Sequence, residues 1–343
     1  MGSGYRRQGM ADATGNTEIP GRAPEGPTKL GRRAWLATLK RTVREFRDDN
    51  LTDWAAALTY YAVLAIFPAL IALVSILGLI GQSATQPLLD NLTELTPGPA
   101  NDIITNAIHD LTRTQSTAGL AFVIGLAGAL WSASGYVGAF SRAANTIYEV
   151  EEGRPFWKLR PAQIVVTTVL LLLLVISSLA VVVTGPIAEQ LGDLVGVGST
   201  AVTVWEIAKW PAIALIVITL FAVLYYAAPN VRQPGFRWIT PGGVLALVVW
   251  IVASAGFAIF VTNFGSYNAT YGSLAGVAIF LIWLWLSNVA LLLGAELNAE
   301  LERSRELAAG VPEERTIALE PKQAADNGES DPRTDETRAG QPA

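Results

Sequence analysis

The chain has 343 residues, 51% of them hydrophobic and only 15% charged, where a soluble domain carries about a quarter charged; that shortfall points to lipid. With no cysteine and a single histidine, His109, a disulfide framework, a thiolate metal site and a clustered-imidazole zinc centre are excluded. The net charge of -5 argues against a nucleic-acid partner, although in a membrane protein the distribution of charge says more than its sum.

Residues 1–30 lack the apolar run of a secretory signal and read as a disordered cytoplasmic arm. Residues 31–53, beginning "GRRAWLATLKRTVREF", predict an amphipathic helix. Trp35, Leu36, Leu39, Val43 and Phe46 recur at helical spacing, while Arg33, Lys40, Arg41, Arg44 and Arg47 fill other faces. The pattern fits an interfacial helix on anionic lipid and, equally, a cytosolic helix packed on a bundle.

Six charge-free runs follow, at about 54–80, 119–140, 163–185, 210–228, 242–264 and 273–294. At 1.5 Å per residue each is long enough to cross a hydrocarbon core about 30 Å thick. The expected fold class is therefore all-α, a polytopic membrane protein with six transmembrane helices inside a domain spanning 54–302. Pro68 should kink the first helix by removing a backbone hydrogen bond. The second run carries Gly125, Gly128 and Gly135, and Gly125, Ala129 and Ala133 form a stripe of small residues, which suits close helix packing or the wall of a substrate path.

The first outer connection, 81–118, reads as two short amphipathic helices. Between the fifth and sixth runs lies "NFGSYNATYGSLAG", an outer hairpin in which Tyr267 and Tyr271 suit the headgroup level and Asn268 closes the turn. Residues 303–343, rich in Pro, Glu, Asp and Thr, read as a disordered acidic cytoplasmic tail.

Lys and Arg divide unequally between the two sides: 22 lie in the terminal segments and the second and fourth connections, and 2 in the first, third and fifth. The positive-inside rule then places both termini in the cytoplasm. Asp53, Arg142, Asn145, Glu296 and Asn298 share the cytoplasmic depth of their helices, and Arg142 is expected to pair with the acids there and hold the helix ends together.

No catalytic, cofactor-binding or metal-binding residue can be assigned. A carboxylate-only nuclease would draw on Asp48, Asp49 and Asp53 just before the first helix or on Glu149, Glu151 and Glu152 in a cytoplasmic loop, which read more simply as solvated helix ends and loops. Polar residues within the runs, among them Thr59, Ser134 and Asn288, are uncharged, which weakens a proton relay but not passage of an amphipathic molecule.

Four segments in order, "DDNLTDWAAALTYYAVLAIFPALIAL", "YEVEEGRPFWKLR", "NFGSYNATYGSLAG" and "WLWLSNVALLLGAELNAELE", resemble the YihY/BrkB family of bacterial inner-membrane proteins, over about residues 35–305. The resemblance implies six spanning helices, cytoplasmic termini and a place in the bacterial cytoplasmic membrane. It also brings an older label, ribonuclease BN, whose zinc chemistry would need several clustered histidines. Some members have been proposed to handle lipids. The expectation is a non-enzymatic protein that transports or accommodates a lipid-like amphipathic substrate, with membrane lipids as partners and no cofactor. A non-transporting scaffold, compatible with a homo-oligomer, is the alternative.

Overall fold

The structure, a computed structural model, describes residues 26–27, 30–80, 119–183, 188, 199–233, 235–263, 273–310, 317 and 319–324. The connection 81–118 with His109, and the hairpin carrying Tyr267, Asn268 and Tyr271, lie outside the described residues.

The described residues form seven long helices: α1 (Arg32–Asp48), α2 (Leu51–Ile80), α3 (Gly119–Ile147), α4 (Phe156–Val182), α5 (Ser199–Ala227), α6 (Phe236–Asn263) and α7 (Ser273–Ala308). Among them there is no strand, only an isolated antiparallel bridge between Val231 and Pro321. Four helices, α4 to α7, are long and apolar enough to cross a membrane. Their exposed residues include Val165, Leu172, Ile207, Leu215, Val252 and Ile259, a surface that water would not tolerate at this density but hydrocarbon does.

Two non-glycine residues take positive φ, both at helix ends. Asn50 (φ 52°) turns the chain from α1 into α2, and its carbonyl accepts the Asp53 amide at 2.9 Å. Glu149 (φ 53°) closes α3, with the Val150 amide reaching back to the Asn145 carbonyl at 2.9 Å. That bond spans five residues, as in a Schellman cap, and it satisfies a carbonyl that the helix itself leaves open.

The helices pack in chain order: α2 on α3, α3 on α4, α4 on α5, α5 on α6 and α6 on α7, with α7 returning to α2 and closing a ring. A further contact joins α3 to α7, and α1 lies on α7 and α2. α6 and α7 cross closely. A Cβ on Gly242 would come within 2.1 Å of the Gly294 carbonyl, and one on Gly294 within 2.5 Å of the Gly242 carbonyl. Only glycine permits that approach. Pro241 inside α6 can neither donate nor close the turn normally, and the Gly242 amide beside it donates instead to Asn298 Oδ1 at 2.9 Å.

Among the described side chains, burial is one-sided. The main core combines the start of α2 (Leu51, Ala55, Leu58), the end of α3 (Phe140 to Ile147), the end of α5 (Leu224, Tyr225) and α7 from Leu291 to Ala299. At the other end of α6 and α7, neighbours in sequence are exposed together: Ile251 and Val252, Ile259 and Phe260, Phe280 to Ile282. Successive helical residues point about 100° apart, so those stretches are uncovered over much of their circumference.

The tail departs from its expected form. α7 runs on to Ala308, past residue 302, because Glu300 and Ser304 bond to α1. Beyond it, Ile317 is buried in the main core and residues 319–324 lie against the connection between α5 and α6. Charge-rich composition averages over the segment and hides two apolar residues, Ile317 and Leu319, that dock.

Candidate functional site

The crowded end of the ring holds a polar network built on "EVEEGRP", residues 149–155. Arg154 Nε and Nη2 donate to the two Glu152 carboxylate oxygens, each at 2.7 Å. Nη2 also reaches Ser141 Oγ at 3.0 Å and the Ala228 carbonyl at 2.8 Å, which ties the loop to the ends of α3 and α5. Burial would raise the Glu152 carboxyl, but donation and charge from Arg154, with a hydrogen bond from Asn145, bring it below its ordinary value.

Asn230, fully buried, is the hub. Its amide donates to Asn145 Oδ1 at 2.7 Å, and its Nδ2 donates to the carbonyls of Glu151 at 2.9 Å and Gln323 at 2.8 Å. Lys322 completes the arrangement. Its Nζ donates to the carbonyls of Tyr226, Ala227 and Pro229 at 3.1, 3.2 and 2.9 Å, supplying donors to the final carbonyls of α5 that the helix cannot satisfy. Burial, with the charge of Arg154 nearby, lowers the Lys322 ammonium to about 8. Gly153 must be glycine here, since a Cβ would meet the Gln323 carbonyl at 2.2 Å.

A second network joins α1 to α7. Arg41 Nε donates to Glu300 Oε2 and Arg41 Nη2 to Ser304 Oγ, both at 2.6 Å, and the Thr38 and Ser304 hydroxyls share a hydrogen bond of 2.6 Å. Arg303 stands between Glu300, 3.1 Å away, and Glu149, 3.0 Å away. Inside the ring the polar contacts are uncharged: Tyr136 donates to Asn288 Oδ1 at 2.8 Å, and Asn288 Nδ2 donates to Thr59 Oγ1 at 3.1 Å, linking α3, α7 and α2. A buried base does occur farther along. α5 begins at Ser199 rather than near 210, so Lys209, 1% exposed, falls inside it and pairs with Glu206 one turn earlier.

The five residues expected to form one cluster do not meet. Asp53 is exposed in the first turn of α2. Arg142 is exposed, its guanidinium 5.6 Å from the Tyr61 ring centroid and Nη2 3.4 Å from the Tyr61 hydroxyl, and it makes no ion pair with Glu296. Glu296 is 2% exposed and its Oε2 has no hydrogen-bond partner. Asn298 faces Gly242, and only Asn145 joins the Asn230 hub. Shared depth was readable from the sequence, but which side of a helix faces which neighbour was not.

Of the glycines, Gly135 faces the Tyr61 ring, where a Cβ would stand 3.4 Å from Cδ1, and Gly128 has nothing within 4 Å. Gly125 and Pro68 lie on α3 and α2, their surroundings outside the described side chains. Sequence reasoning missed Asn230, Lys322 and Arg154. Arg154 and Glu152 sit within "YEVEEGRPFWKLR", so that segment was singled out without their roles. Among the described residues, no group of three or more His, Asp or Glu is arranged to hold a metal ion.

Comparison with known proteins finds relatives named as membrane proteins. A Bacillus subtilis (strain 168) protein named putative ribonuclease-like protein YfkH is 32% identical over 253 residues, 74% of this chain and 90% of that protein. A UPF0761 membrane protein of Alkalilimnicola ehrlichii is 34% identical over 75% of this chain, and one of Aromatoleum aromaticum is 31% identical over 74%. The match spans 56% and 62% of those two relatives, which are longer. No solved structure matches. The family described as Virulence factor BrkB matches residues 42–317, and with that the chain belongs to this family of membrane proteins.

Proposed function

We propose that the ring is a six-span domain with both termini in the cytoplasm and that it accommodates or moves a lipid-like amphipathic molecule. The observation that carries this reading is the contrast between the two ends of the bundle: one end closed by a packed core and two polar networks, the other lined by apolar side chains exposed around α6 and α7. Such walls suit acyl chains, and the Tyr136–Asn288–Thr59 contacts inside the ring offer hydrogen bonds without a fixed charge. The charge count supports the orientation, with 22 basic residues assigned to the crowded side.

The same reading makes the protein a non-enzyme. The name of the Bacillus relative refers to ribonuclease, but the clustered imidazoles of a zinc ribonuclease cannot come from a chain with one histidine and no cysteine. Purified protein reconstituted in liposomes should accelerate the transbilayer movement of a fluorescent phospholipid, read by an impermeant reductant that bleaches only the outer leaflet. Bleaching that stops at half in every lipid composition would refute transport and leave the scaffold reading.

A further inference from the structure

Helix α1 packs on the protein with its polar side. Thr38 and Thr42 are buried and Arg41 bonds Glu300 and Ser304, with Trp35 and Phe46 half-buried at the edges of that face. The apolar strip points away: Leu36 is 60% exposed, Leu39 41% and Val43 52%. Beside that strip stand Arg33, Lys40, Arg44 and Arg47, all exposed. A helix that folded against its own protein to remove apolar surface from water would do the reverse.

Among the described residues, Lys40, Arg41, Arg44 and Arg47 border an open recess along α1. Val43 contributes an apolar patch and Asp48 one acid at the rim. Arg41 is engaged by Glu300, and Arg44 by Glu45 at 2.6 Å. Among the described residues, the side chains of Lys40 and Arg47 have no hydrogen-bond or ion-pair partner. With Arg41 and Arg44 each paired to an acid, Lys40 and Arg47 against Asp48 leave the recess net positive, next to three uncovered aliphatic side chains on the helix that Asn50 joins to α2.

We propose that α1 is a binding site for an anionic phospholipid of the leaflet it borders, the phosphate held by Lys40, Arg44 and Arg47 and the upper acyl chain laid along Leu36, Leu39 and Val43. Both halves of the surface are needed: a soluble anion would use the cations and leave the apolar strip wet, whereas a lipid covers both. Arg-rich geometry favours phosphate, because the guanidinium fork matches its oxygens. The proposal rests on α2 spanning the membrane, and is independent of any transport through the ring.

The test uses the full chain in nanodiscs of phosphatidylcholine with or without phosphatidylglycerol. Since the protein has no cysteine, spin labels can be placed singly at Leu39→Cys, Val43→Cys and, on α2, Tyr60→Cys. In discs containing phosphatidylglycerol all three labels should report oxygen-rich lipid. Native mass spectrometry should show phosphatidylglycerol retained over phosphatidylcholine, and the triple variant K40Q/R44Q/R47Q should lose about a hundredfold of that preference, each cation contributing on the order of fivefold at an anionic surface. Those three side chains are exposed, so the thermal midpoint of the variant should be unchanged.

Water at Leu39 and Val43 with lipid at Tyr60 would overturn the proposal alone; water at all three would overturn the six-span reading with it. Unchanged lipid preference in the triple variant would refute the headgroup site. Loss of the preference in excess inorganic phosphate would make the recess a soluble-anion site. Dipolar broadening between two Leu39→Cys labels would make the face a contact between two copies of the chain.

Discussion

Asp49 offers a direct measure of the electrostatics at the crowded end. It caps the C-terminus of α1, its amide bonded to the Glu45 carbonyl at 2.8 Å, where a negative charge opposes the helix dipole. Its carboxyl accepts no hydrogen bond from a described residue. Burial pushes it up to about 6, and Glu45, Glu149 and Asp48 push the same way against the weaker pull of Arg303. A displacement of about two units corresponds to about 3 kcal/mol at 1.36 kcal/mol per unit. Asp49 is only half-buried, so water screens that figure to about 1 kcal/mol. The folded-state value lies above the unfolded one, so the folded protein holds the proton more tightly and its stability falls as pH rises from about 4 to about 6. Above that window the full penalty is present, and Asp49→Asn removes it. The variant should melt a few degrees higher than the parent at pH 7 in detergent, followed by the fluorescence of the ten tryptophans, and at nearly the parent temperature at pH 4. A variant less stable at pH 7, or stabilised equally at both pH values, would refute this account of the acidic group.

Orientation can be read by impermeant thiol labelling of intact cells: Thr200→Cys should react and Glu151→Cys should not, both positions being exposed. Gly153 is unsuitable as the inner probe because any side chain there collides with the Gln323 carbonyl. Arg142→Gln and Glu296→Gln should have additive effects on thermal stability, within about 0.5 kcal/mol, since the two residues share no partner; strong coupling would mean that they pair in another state. Gly294→Ala should destabilise by about 2 kcal/mol or more, because the Gly242 backbone and the Tyr225 hydroxyl, 2.5 Å from the added Cβ, cannot both withdraw; a stability equal to that of the parent would show that α6 and α7 are looser than the structure has them.

The apolar runs predicted helix existence well and helix ends poorly. Hydrocarbon length selects the run, but hydrogen bonding selects the end. α5 starts before its run because "TAVTVWEIAK" can continue the helix once Lys209 pairs with Glu206, and α7 outlasts its run because Glu300 and Ser304 have partners on α1. The amphipathic α1 was legible as a helix, but not the side it would turn inward; a hydrophobic pattern alone does not say that threonines will face protein and leucines face out. Arg142 illustrates the same limit. Counting residues from a helix end yields depth, whereas a contact also needs the rotation of two helices about their axes, and that depends on packing such as the Gly242–Gly294 crossing. Asn230 was hidden for another reason: its bonds run to residues far away in sequence, and nothing local marks a fully buried asparagine.

The docked segment at 319–324 bears on anyone who shortens or tags this protein. Its composition invites truncation just after α7, yet a chain stopped at Ala308 would leave the last carbonyls of α5 without the ammonium that bonds them, Asn230 without three of its hydrogen bonds, and the core without Ile317. The shortest form that keeps these contacts ends at Ala324. A fluorescent protein or affinity handle attached beyond that point would emerge beside the loop at Gly153 rather than from the tip of α7, which sets where a fused reporter sits against the bundle.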